Sequence, residues 1–215
     1  MTLKLNLYTE IEKTLPTTSR YILGQYNQDS IIVYQAFNEA IAARAVRNQK
    51  LGGGGFKFDR MSWIKTGFLW MMYRSGWASK PKQERVLAIH VKRDGFDNLL
   101  KAAVHSSYVE PIYQTHENWQ QQVTNSEVRL QWDPDHDPYG NKLERRAIQL
   151  GLRGDALSRY ASEWTIGIED ITDFVKQQHE HVLAHALDKL LIPVEDIYPV
   201  TDSAVFSKLG IGLVI

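Results

Sequence analysis

Three tryptophans stand seven residues apart, at Trp63, Trp70 and Trp77, inside the segment Arg60–Trp77. No other stretch constrains the fold as strongly. Thr66–Ser75 reads as a helix, with Gly76 as its C-terminal stop. On a helical wheel Gly67, Trp70, Arg74 and Trp77 share one side, while Phe68, Met71 and Met72 fall elsewhere around the axis. A helix that is apolar around most of its circumference has to be buried. The chain must therefore supply a further layer of structure to cover it. Arg74 inside such a helix needs a partner, because an unpaired buried charge is costly.

That layer is legible as strands. Ile31–Phe37 is β-branched and aromatic and too short for a helix, so it reads as a buried strand. Arg20–Tyr26, Met61–Lys65, Arg85–Val91, Val128–Trp132, Arg146–Leu152 and Trp164–Glu169 read as further strands. Asn38 is a good N-cap for a helix over Glu39–Lys50, which ends in the flexible loop Gly52–Gly55. Helices are also expected near Gly95–Ser106, over Glu117–Val123, Asp155–Glu163 and Asp173–Leu190, with a Pro- and Asp-rich loop at Asp133–Asn141. The strands lack regular βαβ spacing. The expectation is an α+β fold of mixed or antiparallel sheets with flanking helices. A single domain over residues 20–200 would follow an N-terminal arm, 1–19, and precede a C-terminal tail, 201–215.

Composition narrows the function classes. At 215 residues the chain is long enough for one real core. Lys+Arg and Asp+Glu number 25 each, which argues against a dedicated nucleic-acid binder. There is no cysteine, so a disulfide scaffold, a thiolate zinc site and a Cys nucleophile are excluded. No apolar run approaches a signal peptide or the roughly 20 residues of a membrane helix. A cytoplasmic location without a membrane partner is expected.

Several motifs have ordinary explanations. Asp133, Asp135, Asp137, Asn141 and Glu144 have calcium-loop spacing, but position 6 is Pro138 where a glycine is required. Lys92-Arg93-Asp94-Gly95 resembles the lysine signature of nucleotidyltransferases, and reads more simply as a helix start capped by Asp94. Gly52–Gly55 lacks the Gly-Lys-Ser/Thr of a phosphate loop. His181 and His185 share a helical face and could hold zinc, without the accompanying glutamate of a metalloprotease. No metal is favoured, and no nucleophile elbow occurs.

The Arg60–Trp77 segment is harder to dismiss. Its apolar positions suit a core, but Arg60, Lys65 and Arg74 stand among its rings. Cations among aromatics suit a site for an anionic, planar ligand such as a nucleotide. The alternative is that Arg60 and Arg74 form buried ion pairs with Asp133 or Glu84.

Here the chain resembles a known family. Tyr34-Gln35-Ala36-Phe37, Arg60–Lys65, Phe68–Trp77, Gln83–Ile89, Gln131-Trp132-Asp133-Pro134 and Arg146–Leu152 are similar to the signature blocks of domain-of-unknown-function family 4291. The resemblance runs from about Ser19 to Asp173 in one order. Two departures stand out. Thr66-Gly67 replaces the family's usual Pro-Ser, and the loop after Pro134 differs.

The order of elements is further similar to the ADP-ribosyltransferase fold, an analogy at fold level. It would place Tyr34 and Gln35 on the strand that holds NAD, Ser62, Trp63 and Lys65 on the strand lining the nicotinamide pocket, and Gln149 on the late catalytic strand. The implied site has Gln149 and Lys65 as catalytic residues. Its ligand-binding residues are Tyr34, Gln35, Arg60, Trp63, Trp70, Arg74, Trp77, Gln131 and Asp133, with NAD as the cofactor. The alternative is a non-catalytic module that stacks a nucleotide or nucleic-acid end on the same cluster. An enzyme should gather Gln35, Lys65, Arg74 and Gln149 around one pocket; a binding module should spread aromatics along an open groove.

Overall fold

The computed structural model describes residues 3–213. In chain order its elements are β1 (Leu5–Leu7), α1 (Tyr8–Ile11), β2 (Leu23–Gly24), β3 (Ser30–Phe37), α2 (Glu39–Asn48), β4 (Ser62–Lys65) and α3 (Phe68–Ser75). β5 (Arg85–Lys92), α4 (Arg93–Ala102), β6 (Ala103–His105), α5 (Glu110–Tyr113), α6 (His116–Asn125), β7 (Val128–His136) and β8 (Lys142–Leu152) follow. The chain continues through α7 (Gly154–Arg159), a π-helical turn (Tyr160–Trp164), β9 (Thr165–Asp170), α8 (Thr172–Leu183), β10 (Leu191–Pro193), β11 (Asp196–Ile197) and α9 (Ser203–Leu209).

Seven strands form the main sheet in the order β6-β7-β8-β4-β3-β5-β9. Only β6 and β7 run parallel; every other pair is antiparallel. The fold is α+β, as the sequence implies. Alternation along β3 explains how the sheet is covered. Ile31 and Val33 point into one core with Phe96 and Leu99 of α4, Ala42 and Ala45 of α2, and Leu209 of α9. Ile32 and Tyr34 point into a second core with Phe68 and Met72 of α3 and Val175 of α8. A strand buried on both faces reads as a continuous apolar run, which is what Ile31-Ile32-Val33-Tyr34 is. Phe68 is fully buried, a gain of about 1.5–3 kcal/mol for such a ring.

The helix stops behave as expected. Asn38 Oδ1 accepts from Ile41 N–H at 3.0 Å, and Gly76 adopts φ +58° after α3. Helix α3 itself begins at Phe68 rather than Thr66. Gly67 provides no side-chain cap, and the Phe68 N–H instead donates to Glu195 at 2.6 Å.

Other boundaries need correction. Strand β7 continues through Asp133 to His136, and the turn is confined to Asp137–Asn141. The acidic residues tolerate the strand because each has a partner. Gln149 reaches Asp133, and Arg145 reaches Asp135 at 2.6 Å and Glu12 at 2.7 Å. The calcium-like spacing is thus spent on structure: Asp137 holds the turn backbone at Tyr139 and Asn141. Of Arg20–Tyr26 only Leu23–Gly24 is strand, because its partner β11 is two residues long. Helix α8 stops at Leu183, short of Leu190, and His185 turns left-handed at φ +55°. That separates His185 from the face carrying His181.

The segments expected as arm and tail contain β1, α1 and α9. β1 pairs with β10, and Ile11, Val205 and Leu209 are buried. Residues 1, 2, 214 and 215 lie outside the described residues. No described helix is long and apolar enough to cross a membrane.

Candidate functional site

Strands β3 and β4 are registered through a single residue pair, Tyr34 opposite Lys65. Beyond it a side chain replaces the backbone ladder. Gln35 Nε2 donates to Ser62 Oγ at 2.9 Å and to the Trp63 carbonyl at 3.0 Å, while Gln35 Oε1 accepts from Tyr160 Oη–H at 2.9 Å. The strands splay from this point, and the sheet opens into a cleft of about 940 Å³. That is within the range of small-molecule sites.

The floor is a row of directly opposed residues. Gln131 faces Gln149 across β7 and β8, Gln149 faces Lys65 across β8 and β4, and Lys65 faces Tyr34. Opposed residues share a sheet face, at spacings of about 4.5–5.5 Å. Gln149 Nε2 donates to Gln131 Oε1 at 2.7 Å and to Asp133 Oδ2 at 2.6 Å. With both its hydrogens used, Gln149 presents only Oε1 to the cleft, and Gln131 presents its amide nitrogen.

Lys65 is the most unusual group in the row. It is 4% exposed, and among the described residues no hydrogen bond or ion pair reaches its Nζ. Trp70 lies alongside, its ring centroid 6.0 Å from Nζ. Burial, reinforced by the Arg74 cation and opposed by Asp133, lowers the ammonium to about 8. Asp133 behind Gln149 is shifted upward by its own burial, against the Gln149 hydrogen bond and the Lys65 and Arg146 cations.

The walls come from three other elements. Helix α3 contributes Met71 and Arg74. The loop after α2 contributes Gly55, Phe56, Lys57, Arg60 and Met61, and the segment after α3 contributes Pro81, Lys82 and Gln83. Phe56 packs edge-on against Phe37 at the end of β3, ring centroids 5.9 Å apart. Two of the four glycines, Gly53 and Gly54, are docked against α2. Gly53 and Gly54 have φ of +69° and +60°, and a Cβ on Gly54 would lie 2.5 Å from the Ala40 carbonyl oxygen. The Trp63 ring approaches Gly151 closely: a Cβ there would meet the ring at 2.9 Å and Met61 Sδ at 2.5 Å.

Charge is segregated in this cleft. Lys57, Arg60, Lys65, Arg74 and Lys82 line it, and no Asp or Glu does among the described residues. In a chain of zero net charge this is a matter of placement. Arg74 makes one weak contact, 3.4 Å to Gln83 Oε1, and is exposed. Arg60 is exposed too, and neither arginine has an ion pair among the described residues. The expectation that they pair in the core with Asp133 or Glu84 is therefore corrected. Helix α3 turns Met71 and Arg74 to the cleft, leaves Tyr73 exposed and buries Phe68, Leu69, Trp70, Met72 and Ser75.

Of the residues singled out from sequence, Gln35, Arg60, Trp63, Lys65, Arg74, Gln131 and Gln149 line this one cavity. Tyr34, Trp70, Trp77 and Asp133 do not line it. Tyr34 packs on Phe68, Trp70 beside His136 at 5.1 Å, and Trp77 on His179 at 5.3 Å. Sequence reasoning missed Phe37, Phe56, Lys57, Lys82 and Gln83. The only signal for Phe56 and Lys57 was their position directly after the glycine quartet. The nucleotidyltransferase-like tetrapeptide lies at a helix start, but Asp94 is not its cap: α4 begins at Arg93 with Lys92 at the N-cap position and no side-chain cap, while Asp94 Oδ1 accepts only from Gly95 N–H at 2.7 Å. Gly95 lets Trp164 approach where a Cβ would lie 2.4 Å from Cγ.

The fold and cleft define an α+β protein whose sheet is split by a cationic, acid-free pocket. The chain belongs to the family described as domain of unknown function (DUF4291), whose sequence profile matches residues 21–198. No curated protein matches it.

Proposed function

We propose that the cleft binds a nucleotide-type anion, with NAD as the ligand, and that the protein is an ADP-ribosyltransferase-like enzyme. The observation that carries this reading is the lining: five cations, no carboxylate, and the rings of Phe37, Phe56 and Trp63 in one cavity. Lys57, Arg60, Arg74 and Lys82 at the walls suit a pyrophosphate, since charge-assisted contacts to phosphate are the strong ones. The rings suit a planar base.

NAD bound in this way supplies a glycosidic bond that breaks with positive charge building on the ribose. A transferase stabilises such charge with a preorganised anion. Asp133 is the nearest carboxylate to the row, and Gln149 holds it by a 2.6 Å hydrogen bond. Gln149 is thus the residue through which Asp133 would act, because the carboxylate of β8, Glu144, lies outside the lining of the cleft. Lys65, lowered to about 8 by burial, suits a base toward the acceptor, because a base works best near the operating pH. Gln35, Lys65, Arg74 and Gln149 surround one cavity, the arrangement expected of an enzyme rather than of an open binding groove.

Thermal shift with NAD, ADP-ribose, ATP, GTP and short RNA tests the reading. A ligand that binds the folded state raises the Tm by mass action. A rise with NAD and ADP-ribose, followed by nicotinamide release on incubation with NAD, is the expected result. A rise with RNA or ATP alone would replace the reading with a binding module.

A further inference from the structure

Lys65 combines three features that rarely meet. It is 4% exposed, it has no ion-pair partner among the described residues, and it lines a cavity large enough for a nucleotide. A lysine kept only for packing would be better replaced by an apolar residue, because the uncompensated charge is costly. A lysine kept only for anion binding would work as well fully solvated, as Lys57 and Lys82 are nearly placed to do. A desolvated amine beside a second cation is instead the arrangement that activates lysine as a nucleophile toward carbonyl carbon.

We propose that Lys65 forms an imine with phosphorylated aldehydes that enter the cleft, the open-chain form of ADP-ribose among them. The neutral amine adds through Nζ to the carbonyl carbon, and the carbonyl oxygen leaves as water after taking up two protons. One new C=N bond replaces the C=O bond, Nζ gives up its hydrogens, and no oxidant or reductant is needed. The surrounding groups fit the steps. Arg60 and Arg74 can hold the phosphates, and the Trp63 ring close to Gly151 gives the aldehyde carrier a flat wall. Asp133, one hydrogen bond behind Gln149, contributes negative charge that steadies the protonated amine, and the proton released in the addition passes to solvent in the cleft. Burial beside Arg74 leaves part of the amine neutral at mildly alkaline pH.

The inference rests on the cleft being an anion site, and the test separates the two. Full-length protein is incubated with ADP-ribose or with pyridoxal 5′-phosphate, each in the presence of cyanoborohydride, and the adducts are mapped by peptide mass spectrometry. NAD, which has no free aldehyde, serves as competitor. Label concentrated on the Lys65 peptide with both aldehydes, suppressed by NAD and lost in Lys65→Arg, is expected. The Lys65→Arg variant keeps the charge, and its Tm reports whether it folds. Label on Lys65 with pyridoxal phosphate but not with ADP-ribose would keep the imine chemistry and exclude ADP-ribose as its source. Label spread over surface lysines, with NAD raising the Tm, would overturn the imine and leave the nucleotide reading intact. Spread label with no response to NAD or ADP-ribose would overturn both.

Discussion

A buried lysine without a counter-ion costs the folded state free energy, and at Lys65 that cost depends on pH. Its ammonium is lowered from the ordinary 10.5 to about 8 by burial and by Arg74. Between those values the unfolded chain binds more protons than the folded one, so this group makes stability rise with pH through that window and lowers it below about 8. The cost at neutral pH is roughly 3 kcal/mol. Lys65→Met keeps most of the stem and removes the charge, so it is expected to raise the Tm at pH 7 while abolishing ligand binding; scanning calorimetry reads the first effect. Glu195 runs the other way. Burial raises it from 4.5 to about 8, against the hydrogen bond from Phe68 N–H. Its contribution is complete below the unfolded value and is lost as pH rises through 8. Glu195→Gln is expected to change the Tm little at pH 4 and to raise it at pH 9. A Tm difference independent of pH would contradict that. Neither effect was legible beforehand. Lys65 was visible as a cation among rings, but its isolation depends on which residues distant in sequence pack around it. Glu195 meets Phe68 across 127 positions, and no local pattern announces such a cap.

Elements fix the cleft through a few close approaches. The β3–β4 ladder stops after one pair, and the Gln35 side chain spans the gap with two hydrogen bonds to β4 and accepts a third from Tyr160. Gln35→Leu would leave the Tyr160 hydroxyl and the Trp63 carbonyl without partners in a buried region, at a cost of about 1–3 kcal/mol for each such group; urea unfolding measures it. Gly151→Ala would drive a methyl into Trp63 and Met61, since the space is closed at 2.9 and 2.5 Å. Trp63 is expected to swing into the cleft, so that ligand affinity falls further than stability does. Equal losses in the two would mean that Trp63 is packing alone. Much of this scaffold was legible in outline. Ile31–Phe37, Arg85–Val91 and Arg146–Leu152 read as strands because apolar residues recur there over stretches too short for a helix, and the Asn38 cap and the Gly76 stop follow from the chemistry of those residues alone. The splay between β3 and β4 was not legible, because it arises where two strands fail to pair. The extension of β7 through Asp133–His136 was hidden because Asp and Pro oppose strand formation until Gln149 and Arg145 supply partners from the neighbouring strand.

At the scale of the whole molecule, a neutral chain concentrates five cations and no carboxylate in one cavity. Among the described residues its ion pairs lie outside that lining: Arg145 with Glu12 and Asp135 ties the chain after α1 to the sheet, and Arg85, opposite Phe37 beside the cleft, pairs with Asp170 and Glu39. Ligand binding governed by such a wall is expected to weaken with salt, because Arg60 and Arg74 are solvent-accessible and screened. Seven of the eleven residues named from sequence line the cavity, and the other four do not. Sequence spacing located the segment but could not say which side of each ring faced the opening. Arg74 decides the central claim most directly, because it is exposed and makes only a 3.4 Å contact to Gln83, so its removal should not harm the fold. Calorimetric titration of NAD into the wild type and into Arg74→Ala is the measurement. Saturable binding to the wild type, weakened about tenfold in the variant by the loss of roughly 1.4 kcal/mol at an unchanged Tm, is the expected result. Absence of heat with the wild type, or equal affinity in the two proteins, would contradict a nucleotide site in this cleft.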